Sequence, residues 1–373
     1  MIPLSVLPLQ AVEANLLNDP YRFPIGVWLQ SPSNAPRFKA AGMNLYVGLW
    51  DGPTDQQLAT LQTAGMPVIC EQNSVGLAHV QDPNILGWLQ PDEPDNAQPK
   101  GNGYGPCVPP QTVVDWYRKL KANDPNRPVL LGMGQGVAND QWLGRGSGAS
   151  LDDYKTYVKG GDIVSFDIYP VSGLPMSDSE NYLWYLPKGI DRLAAWAGPT
   201  KPHWNCIECT GIDSGKKATP EQVRAEVWMS LIHGSSGIIY FVHQFKPAFK
   251  EAALLDDPEM LQEVTSTNAE IQKLAPVLHS PLTTPKVTVQ CSNPQCPVDF
   301  LVKRRGRDMY LFAVGMRNLS TDATFRIDGL SIGKVQNLDR EGGLDARSGS
   351  FLDHFKPYEV HLYRISTVKT NSR

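Results

Sequence analysis

Two stretches decide how this chain folds: Gly87–Pro94 (GWLQPDEP) and His203–Gly211 (HWNCIECTG). Each is an apolar run that ends in a turn, and each carries a glutamate near that point, Glu93 in the first and Glu208 in the second. A short apolar run bounded by turn residues is typical of a buried parallel strand. The two glutamates lie far apart in the chain, so only the fold can bring them together.

Outward from these stretches, short apolar runs alternate with helical patterns, which is the signature of repeated βα units. Eight such runs predict strands over Pro24–Gln30, Met43–Trp50, Met66–Gln72, Ile85–Gln90, Pro128–Gln135, Asp162–Tyr169, Pro202–Glu208 and Gly237–Gln244. Eight strands separated by helices over about 250 residues predict an α/β fold of the (β/α)8 barrel (TIM barrel) type. A doubly wound open sheet would need a phosphate-binding loop after its first strand, and Gln30–Asn34 (QSPSN) is not glycine-rich.

The helical patterns between these strands carry capping signals. Thr54 precedes one helix, and Thr219 precedes another with Pro220 in its first turn. Helices are predicted over Thr54–Ala64, Pro110–Ala122, Glu180–Trp196, Thr219–His233 and Met260–Leu278.

After the last helix the pattern changes to alternating strands broken by Gly, Asn and Asp, which predicts an antiparallel β-sandwich. The expected domains are therefore a barrel over residues 1–282 and a sandwich over 283–373. The predicted sandwich strands are Lys286–Gln290, Phe300–Lys303, Met309–Val314, Ala323–Ile327, Lys334–Gln336 and Tyr358–Ile365.

The composition excludes several classes of partner. The 373 residues carry 34 Lys+Arg and 38 Asp+Glu, a net charge of −4, so no basic field favours nucleic acid. No apolar run approaches the ~20 residues that span a bilayer. No partner chain is indicated, and we expect a monomer.

Two features of the sequence bear on cellular location. The opening Met1–Leu9 lacks the basic start and cleavage site of a signal peptide. Of six cysteines, Cys291 and Cys296 flank a turn-rich loop that could close as a small disulfide, which favours a secreted or periplasmic location.

In a (β/α)8 barrel the carboxyl ends of all strands meet at one mouth. This predicts that Glu93 (strand four), Asp167 and Tyr169 (strand six), Glu208 (strand seven) and His243 (strand eight) converge there. Alternation along strand seven places Trp204, Cys206 and Glu208 on one side. We therefore expect Glu208 to face the barrel interior only if Trp204 and Cys206 also do.

Two converging carboxyl groups suit the cleavage of a glycosidic bond. One carboxyl must be protonated to give its proton to the leaving oxygen, and the other must be ionised to attack or assist at the anomeric carbon. Two carboxylates within ~5 Å push each other's pKa values apart, so their proximity partly divides the roles. Spacing in the sequence does not say which glutamate takes which role.

The eight βα units, the Glu-Pro turn after strand four, the strand-seven glutamate and the trailing sandwich resemble the clan A glycoside hydrolases. The resemblance covers roughly Pro24–Leu278 and implies retaining hydrolysis of an oligo- or polysaccharide. By position, Glu93 resembles the acid/base of that clan and Glu208 the nucleophile. Tyr169 resembles the tyrosine that positions the nucleophile.

One residue departs from the clan pattern. The clan usually has Asn before the acid/base glutamate, where its amide contacts the sugar 2-hydroxyl, whereas this chain has Asp92. A carboxylate accepts from that hydroxyl but does not donate as an amide does. Asp92 is therefore expected to bind substrate, with the alternative that Asp92 is the acid and Glu93 faces outward.

Further strand-end side chains are candidates for sugar binding, although each has a structural alternative. The tryptophans and Gln135 could equally pack in the core, Asp167 could bond backbone amides, and His243 could be a satisfied structural histidine. These candidates are Trp28, Trp50, Gln135, Asp167, Trp204 and His243.

No cofactor and no metal is expected, because the Cys and His residues form no ligand set at useful spacing. Two hypotheses remain. The chain is a retaining glycosidase, or it is a non-catalytic carbohydrate-binding or scaffolding barrel that has kept the architecture without the chemistry.

Overall fold

A computed structural model describes residues 15–142, 144, 150–212, 215–282, 286–328 and 332–367, and it confirms the predicted (β/α)8 barrel. Eight parallel strands follow the spatial order β6-β5-β4-β3-β2-β1-β8-β7. A parallel bridge between Val164 and His203 joins β6 to the start of β7 and closes the barrel. The strands are β1 Ile25–Trp28, β2 Leu45–Val47, β3 Val68–Glu71, β4 Ile85–Leu89, β5 Val129–Met133, β6 Ile163–Phe166, β7 Asn205–Glu208 and β8 Ile238–Phe241.

The helices begin where the sequence supplies caps. Thr54 accepts from the backbone N–H of Gln57 and Thr219 from that of Gln222, each in a capping box. The predicted helix from Glu180 begins later, at Tyr185, because residues before it form a separate 3-10 turn. The helices are α1 Ala35–Ala40, α2 Asp55–Ala64, α3 Ser74–Ala78, α4 Pro110–Asn123, α5 Tyr154–Tyr157, α6 Tyr185–Ala197, α7 Pro220–Ile232 and α8 Pro258–Leu278.

The barrel interior is filled by one layer of apolar side chains and the strand–helix interface by another. Trp204 and Cys206 pack with the interior residues Val47, Ile69 and Ile239, as strand alternation predicts. The loop after β4, predicted to be irregular, contains a short hairpin that pairs Pro99–Lys100 with Gly103–Tyr104.

The C-terminal part is the predicted antiparallel sandwich, with two sheets of order β9-β12-β15 and β10-β11-β16-β13-β14. Two strands, Gly343–Leu344 and Ser350–Phe355, were not predicted from the sequence. The strands are β9 Val287–Cys291, β10 Val298–Arg305, β11 Asp308–Gly315, β12 Thr321–Ile327, β13 Ile332–Asn337, β14 Gly343–Leu344, β15 Ser350–Phe355 and β16 Val360–Thr367.

The sandwich packs on helix α7, where the Trp228 and Phe312 rings lie 5.2 Å apart between centroids. The predicted domain boundary at residue 282 abuts residues 283–285, which lie outside the described part of the chain, so it stays a prediction. The N-terminal residues used to judge a signal peptide also lie outside it. Among the described helices, none is long and apolar enough to cross a membrane.

The predicted disulfide is wrong. Cys291 and Cys296 are both free thiols, as are the other four cysteines. Cys296 is buried, and its thiol donates instead to the carbonyl of Leu319 at 3.1 Å. The argument for a secreted location that rested on this pair is therefore lost.

Helix α6 can approach strand β6 only because residue 189 is glycine. A Cβ atom there would lie 2.2 Å from the ring of Phe166, which is itself buried. Although alanine normally stabilises a helix relative to glycine, we expect Gly189→Ala to lower stability by about 1–3 kcal/mol through overpacking. The measurement is the urea midpoint of unfolding. Gly103→Ala, with nothing within 4 Å of the added atom, is the matched control, and equal midpoints for both variants would contradict this packing.

Candidate active site

A cleft of about 460 Å³ opens at the carboxyl ends of the barrel strands. Its volume lies within the range of small-molecule sites, roughly 300–1,000 Å³. Apolar and aromatic side chains form much of its wall. The polar side chains that line it are Asp92, Glu93, Gln135, Ser165, Asp167 and Tyr169, and the aromatic ones include Trp28, Phe166, Phe241 and Phe245.

Three carboxyl groups crowd one side of this cleft. The side chains of Glu93 and Asp167 are hydrogen-bonded to each other, which requires a proton on one of them. Burial, reinforced by the negative charges of Glu93 and Asp92, raises the pKa of Asp167 well above its ordinary value. Burial therefore favours the protonated form of Asp167, the form that can donate a hydrogen bond to Glu93.

Asp92 belongs to the same cluster. Solvent reaches its carboxyl group through the cleft, yet protein atoms surround its other sides closely. This desolvation, together with the charges of Glu93 and Asp95, raises the pKa of Asp92 to about 7. Both Asp92 and Glu93 line the cleft, so the alternative in which Glu93 faces outward is wrong.

The turn after β4 aims Glu93 at the cleft through an unusual backbone conformation. Glu93 has φ 42°, in the left-handed region that a non-glycine residue rarely adopts. Such a conformation costs of the order of 1–3 kcal/mol and is over-represented at functional sites. The backbone N–H of Glu93 donates to the carbonyl of Gly132 at 3.2 Å, which ties the turn to strand β5.

Two glycines at the end of β5 make room for these carboxyl groups. A Cβ atom at Gly134 would lie 2.9 Å from Glu93 Oε1 and 2.5 Å from the amide of Asn96. A Cβ atom at Gly132 would lie 3.2 Å from Asp92 Oδ1. Sequence analysis missed both, although glycine recurring in an otherwise apolar strand marks a close approach.

Asp95 is a second residue that sequence analysis missed. Its carboxylate is buried and accepts from the Gly134 N–H at 2.9 Å and from the Tyr154 hydroxyl at 2.8 Å. Burial nevertheless raises the pKa of Asp95 to about 6. Asp95 therefore fastens the loop after β4 to the end of β5, directly behind Glu93.

The prediction that Glu93 and Glu208 meet across the cleft is wrong for the side chain of Glu208. Glu208 ends β7 beside Phe241, but it is fully buried and does not line the cleft. Its two carboxylate oxygens accept from the backbone N–H groups of Val171 and Ser172, both at 2.7 Å. Trp204 and Cys206 face the barrel interior, but the side chain of Glu208 does not follow them. Strand β7 ends at Glu208, and the loop after β6 offers two backbone N–H donors to its carboxylate.

The carboxyl group of Glu226 on helix α7, which is also fully buried, lies near that of Glu208. Burial and the nearby charge of Glu208 raise the pKa of Glu226 well above its ordinary value. Burial also raises the pKa of Glu208, although its backbone hydrogen bonds oppose that shift. Glu226 therefore holds the proton of this pair, and Glu208 is the carboxylate that fixes the loop.

Tyr169 and Ser165 contribute polar groups to the cleft on β6 and just beyond it. The hydroxyl of Tyr169 is hydrogen-bonded to the thiol of Cys206, whose pKa burial raises well above its ordinary value, so this thiol is not a nucleophile. Ser165, also missed from the sequence, is buried, and its Oγ has no hydrogen-bond partner among the described residues. A hydroxyl so placed is available to a bound molecule.

Three predicted sugar-binding residues do not line the cleft. Trp204 is a core residue of the barrel interior, against Gly237. His243 is buried, with Nε2 within 3.0 Å of both the Leu29 carbonyl and the Gln30 amide. Trp50 lies outside the cleft with 41 % of its surface exposed, in contact with His243. Trp28, Gln135, Asp167 and Tyr169 do line the cleft.

The acidic cluster is not arranged as a metal centre. Among the described residues, no group of three or more His, Cys, Asp or Glu side chains is positioned to hold a metal ion.

Comparison with known proteins identifies the fold. No protein-family model matches the chain, and no curated protein matches it. A putative alpha-galactosidase/melibiase from Bacteroides fragilis is similar in structure with a TM-score of 0.54 and 9% identity, over 93% of this chain and 79% of that one. The protein AmyP in complex with maltotriose has a TM-score of 0.53 and 10% identity, over 96% of this chain and 100% of that one.

The subfamily 8 xylanase Xyn30A of glycoside hydrolase family 30, from Clostridium acetobutylicum, has a TM-score of 0.50 and 11% identity, over 92% of this chain and 96% of that one. An exo-carrageenase from Bacteroides ovatus has a TM-score of 0.49, and the match covers only 55% of its length. The resemblance to barrel glycoside hydrolases is thus confirmed at the level of the fold.

The buried Glu208–Glu226 pair makes stability depend on pH. Glu226 is protonated in the folded state and ionised in the unfolded chain above its ordinary pKa, so stability falls as pH rises between that value and the raised one. Glu226→Gln keeps the shape of the side chain and removes its ionisable group. We expect the difference between the thermal midpoint of this variant and that of wild type to shift steadily in favour of the variant between about pH 5 and pH 8.

Glu221→Gln is the control, because it makes the same substitution at an exposed position of the same helix. A difference between Glu226→Gln and wild type that stays constant across the pH series would show that Glu226 is not the protonated member.

Proposed function

We propose that this protein is a glycoside hydrolase that cleaves a glycosidic bond of an oligo- or polysaccharide. One observation carries the proposal: two carboxyl groups, those of Asp167 and Glu93, are hydrogen-bonded to each other in an open cleft at the mouth of the barrel. A proton donor and a carboxylate side by side are the two groups that this reaction needs.

The division of roles follows from the electrostatics. Asp167, whose pKa is raised by burial, donates its proton to the leaving glycosidic oxygen. Glu93 attacks the anomeric carbon on the opposite side of the sugar and forms a glycosyl ester. Asp167, now ionised, takes a proton from the water that hydrolyses this ester and returns to its starting state.

A hydrogen-bonded pair of carboxyl groups favours retention of the anomeric configuration. Inverting enzymes hold their two carboxyls roughly 6.5–9.5 Å apart to admit a water molecule, whereas retaining enzymes hold them about 5 Å apart. Glu93 and Asp167 are in direct contact in the free protein and need only separate slightly around a substrate. Asp92, with its pKa of about 7, lies beside them and can accept a hydrogen bond from a sugar hydroxyl.

The surroundings of the pair support sugar binding. Trp28 and Phe241 offer apolar ring faces that match the apolar faces of pyranoses, and Ser165 offers an unengaged hydroxyl. Structurally similar proteins include AmyP, whose structure contains maltotriose, and a xylanase. In this account Glu208 is not the nucleophile; it acts indirectly, by fixing the loop that follows Tyr169.

Three isosteric substitutions test these assignments on a panel of 4-nitrophenyl glycosides and polysaccharides. We expect Glu93→Gln and Asp167→Asn each to lower kcat by at least about 10³-fold, because each removes a reacting group. Glu208→Gln serves as the matched comparison and is expected to lose much less turnover.

Added azide distinguishes the two roles. With Glu93→Gln, azide should replace the lost nucleophile and give a glycosyl azide of inverted configuration. With Asp167→Asn, it should give one of retained configuration. Azide rescue of Glu208→Gln would contradict the assignment. A wild-type protein that binds a polysaccharide without turning over any member of the panel would support the non-catalytic barrel instead.

The space provided by Gly134 gives an independent test. Gly134→Ala places a methyl group against Glu93 Oε1 and should displace the carboxyl by several tenths of an ångström without removing it. We expect kcat to fall by about 10²-fold, as a misplaced catalytic group does, with KM changed far less. Gly103→Ala is the control, and unchanged kcat in Gly134→Ala would contradict the role of Glu93.

A further inference from the structure

Three large aromatic side chains stand exposed beside the cleft. Phe249 is 54 % exposed, Phe245 48 % and Trp50 41 %. Contiguous exposed aromatic surface is unusual on a soluble domain and marks a binding surface. Phe245 also lines the cleft, so the patch begins inside the candidate active site and continues out of it.

These side chains form a continuous surface. The Phe245 and Phe249 ring centroids lie 5.7 Å apart, and those of Phe249 and Trp50 lie 6.4 Å apart. The buried ring of His243 packs against all three at 5.8–6.3 Å. We name Trp50, Phe245 and Phe249 the aromatic platform, with His243 as its base.

The platform is held in place by polar contacts from several elements. The indole N–H of Trp50 donates to Glu251 Oε1 at 2.8 Å. The same carboxylate accepts from the backbone N–H of Ser31 at 2.6 Å and from its hydroxyl at 2.8 Å. The Gln57 amide donates to the carbonyl of Trp50 at 2.7 Å. A ring fixed in this way loses little conformational entropy when a ligand stacks on it.

We propose that the aromatic platform is a subsite for sugar residues of a chain that runs from the cleft onto the protein surface. This inference rests on the proposed function and specifies its substrate: a polysaccharide or a long oligosaccharide rather than a mono- or disaccharide. Two features support a glycan as the occupant: continuity with the cleft through Phe245, and exposed aromatic rings, of which Trp50 is held by polar contacts.

Glu251 is a positioning residue in this account. It contacts Trp50 and Ser31, and its role is to hold the indole in its edge-to-face position beside Phe249. Its replacement by alanine leaves all three rings present but frees Trp50, whereas glutamine keeps an acceptor for the indole N–H.

The test compares Trp50→Ala, Phe249→Ala and their combination with Leu352→Ala, a control that removes an exposed apolar side chain from the sandwich, where Leu352 is 57 % exposed. The probes are soluble starch, xylan, mixed-linkage β-glucan, laminarin and galactomannan, with 4-nitrophenyl monoglycosides as short substrates. Binding is measured separately by retardation in native gels containing each polysaccharide.

We expect the double variant to lose about tenfold in kcat/KM on the polysaccharide that wild type degrades, and to lose retardation in gels of it. Activity on the monoglycoside should stay within twofold, because that substrate occupies the cleft alone. Glu251→Ala should show part of the same loss, and Glu251→Gln should largely restore binding.

The outcomes separate this inference from the proposed function. Wild-type turnover of a polysaccharide, with the double variant equal to Leu352→Ala, overturns the platform and leaves the proposed function standing. No turnover by wild type, with retardation lost only in the platform variants, supports the platform and overturns the proposed function. A dimer in wild type that the double variant converts to monomer would show that a second copy covers the rings, and would overturn the inference.

Discussion

Two carboxylates in a poorly solvated space cannot both stay ionised, and this constraint governs the structure around the cleft. Asp92, Glu93, Asp95 and Asp167 lie close together at the ends of β4 and β6, where desolvation by the surrounding protein and the charges of neighbouring carboxylates raise the pKa values of the three aspartates. These shifts favour retention of a proton within the cluster. A protein that holds a proton beside a carboxylate at the mouth of a barrel is equipped for acid–base chemistry there.

The scaffold contains a second carboxyl pair with the opposite relation to solvent. Glu208 and Glu226 are also buried, and burial raises the pKa of both, but two backbone N–H groups satisfy the Glu208 carboxylate and Glu208 does not line the cleft. That pair joins helix α7 to the loop after β6, the loop that continues from Asp167 and Tyr169. Paired carboxyl groups are thus available for reaction where they line the cleft, and they fix the position of a loop where they are buried away from it.

Sequence patterns predicted the architecture well because hydrophobic periodicity and the placement of turn and capping residues are local properties of the chain. The eight barrel strands, the capping boxes at Thr54 and Thr219 and the change to a sandwich all followed from them. Side-chain direction at a strand end was not local. The backbone of Glu208 lies in strand β7 as predicted. The direction of its side chain is set by the backbone N–H groups of Val171 and Ser172, more than 30 residues earlier in the chain, which donate to its carboxylate. The role of Asp95 likewise depends on Gly134 and Tyr154, which no spacing rule connects to it.

The most direct test of the account is to identify which carboxylate forms a covalent bond with the sugar. An epoxide analogue of whichever monoglycoside the protein hydrolyses would trap the nucleophile as an ester, and peptide mass spectrometry would locate it. The account predicts the label on Glu93, with loss of labelling when Asp167 is replaced by Asn. A label on Glu208 would contradict the account, because it would require that buried carboxylate to leave its backbone donors and reach the cleft.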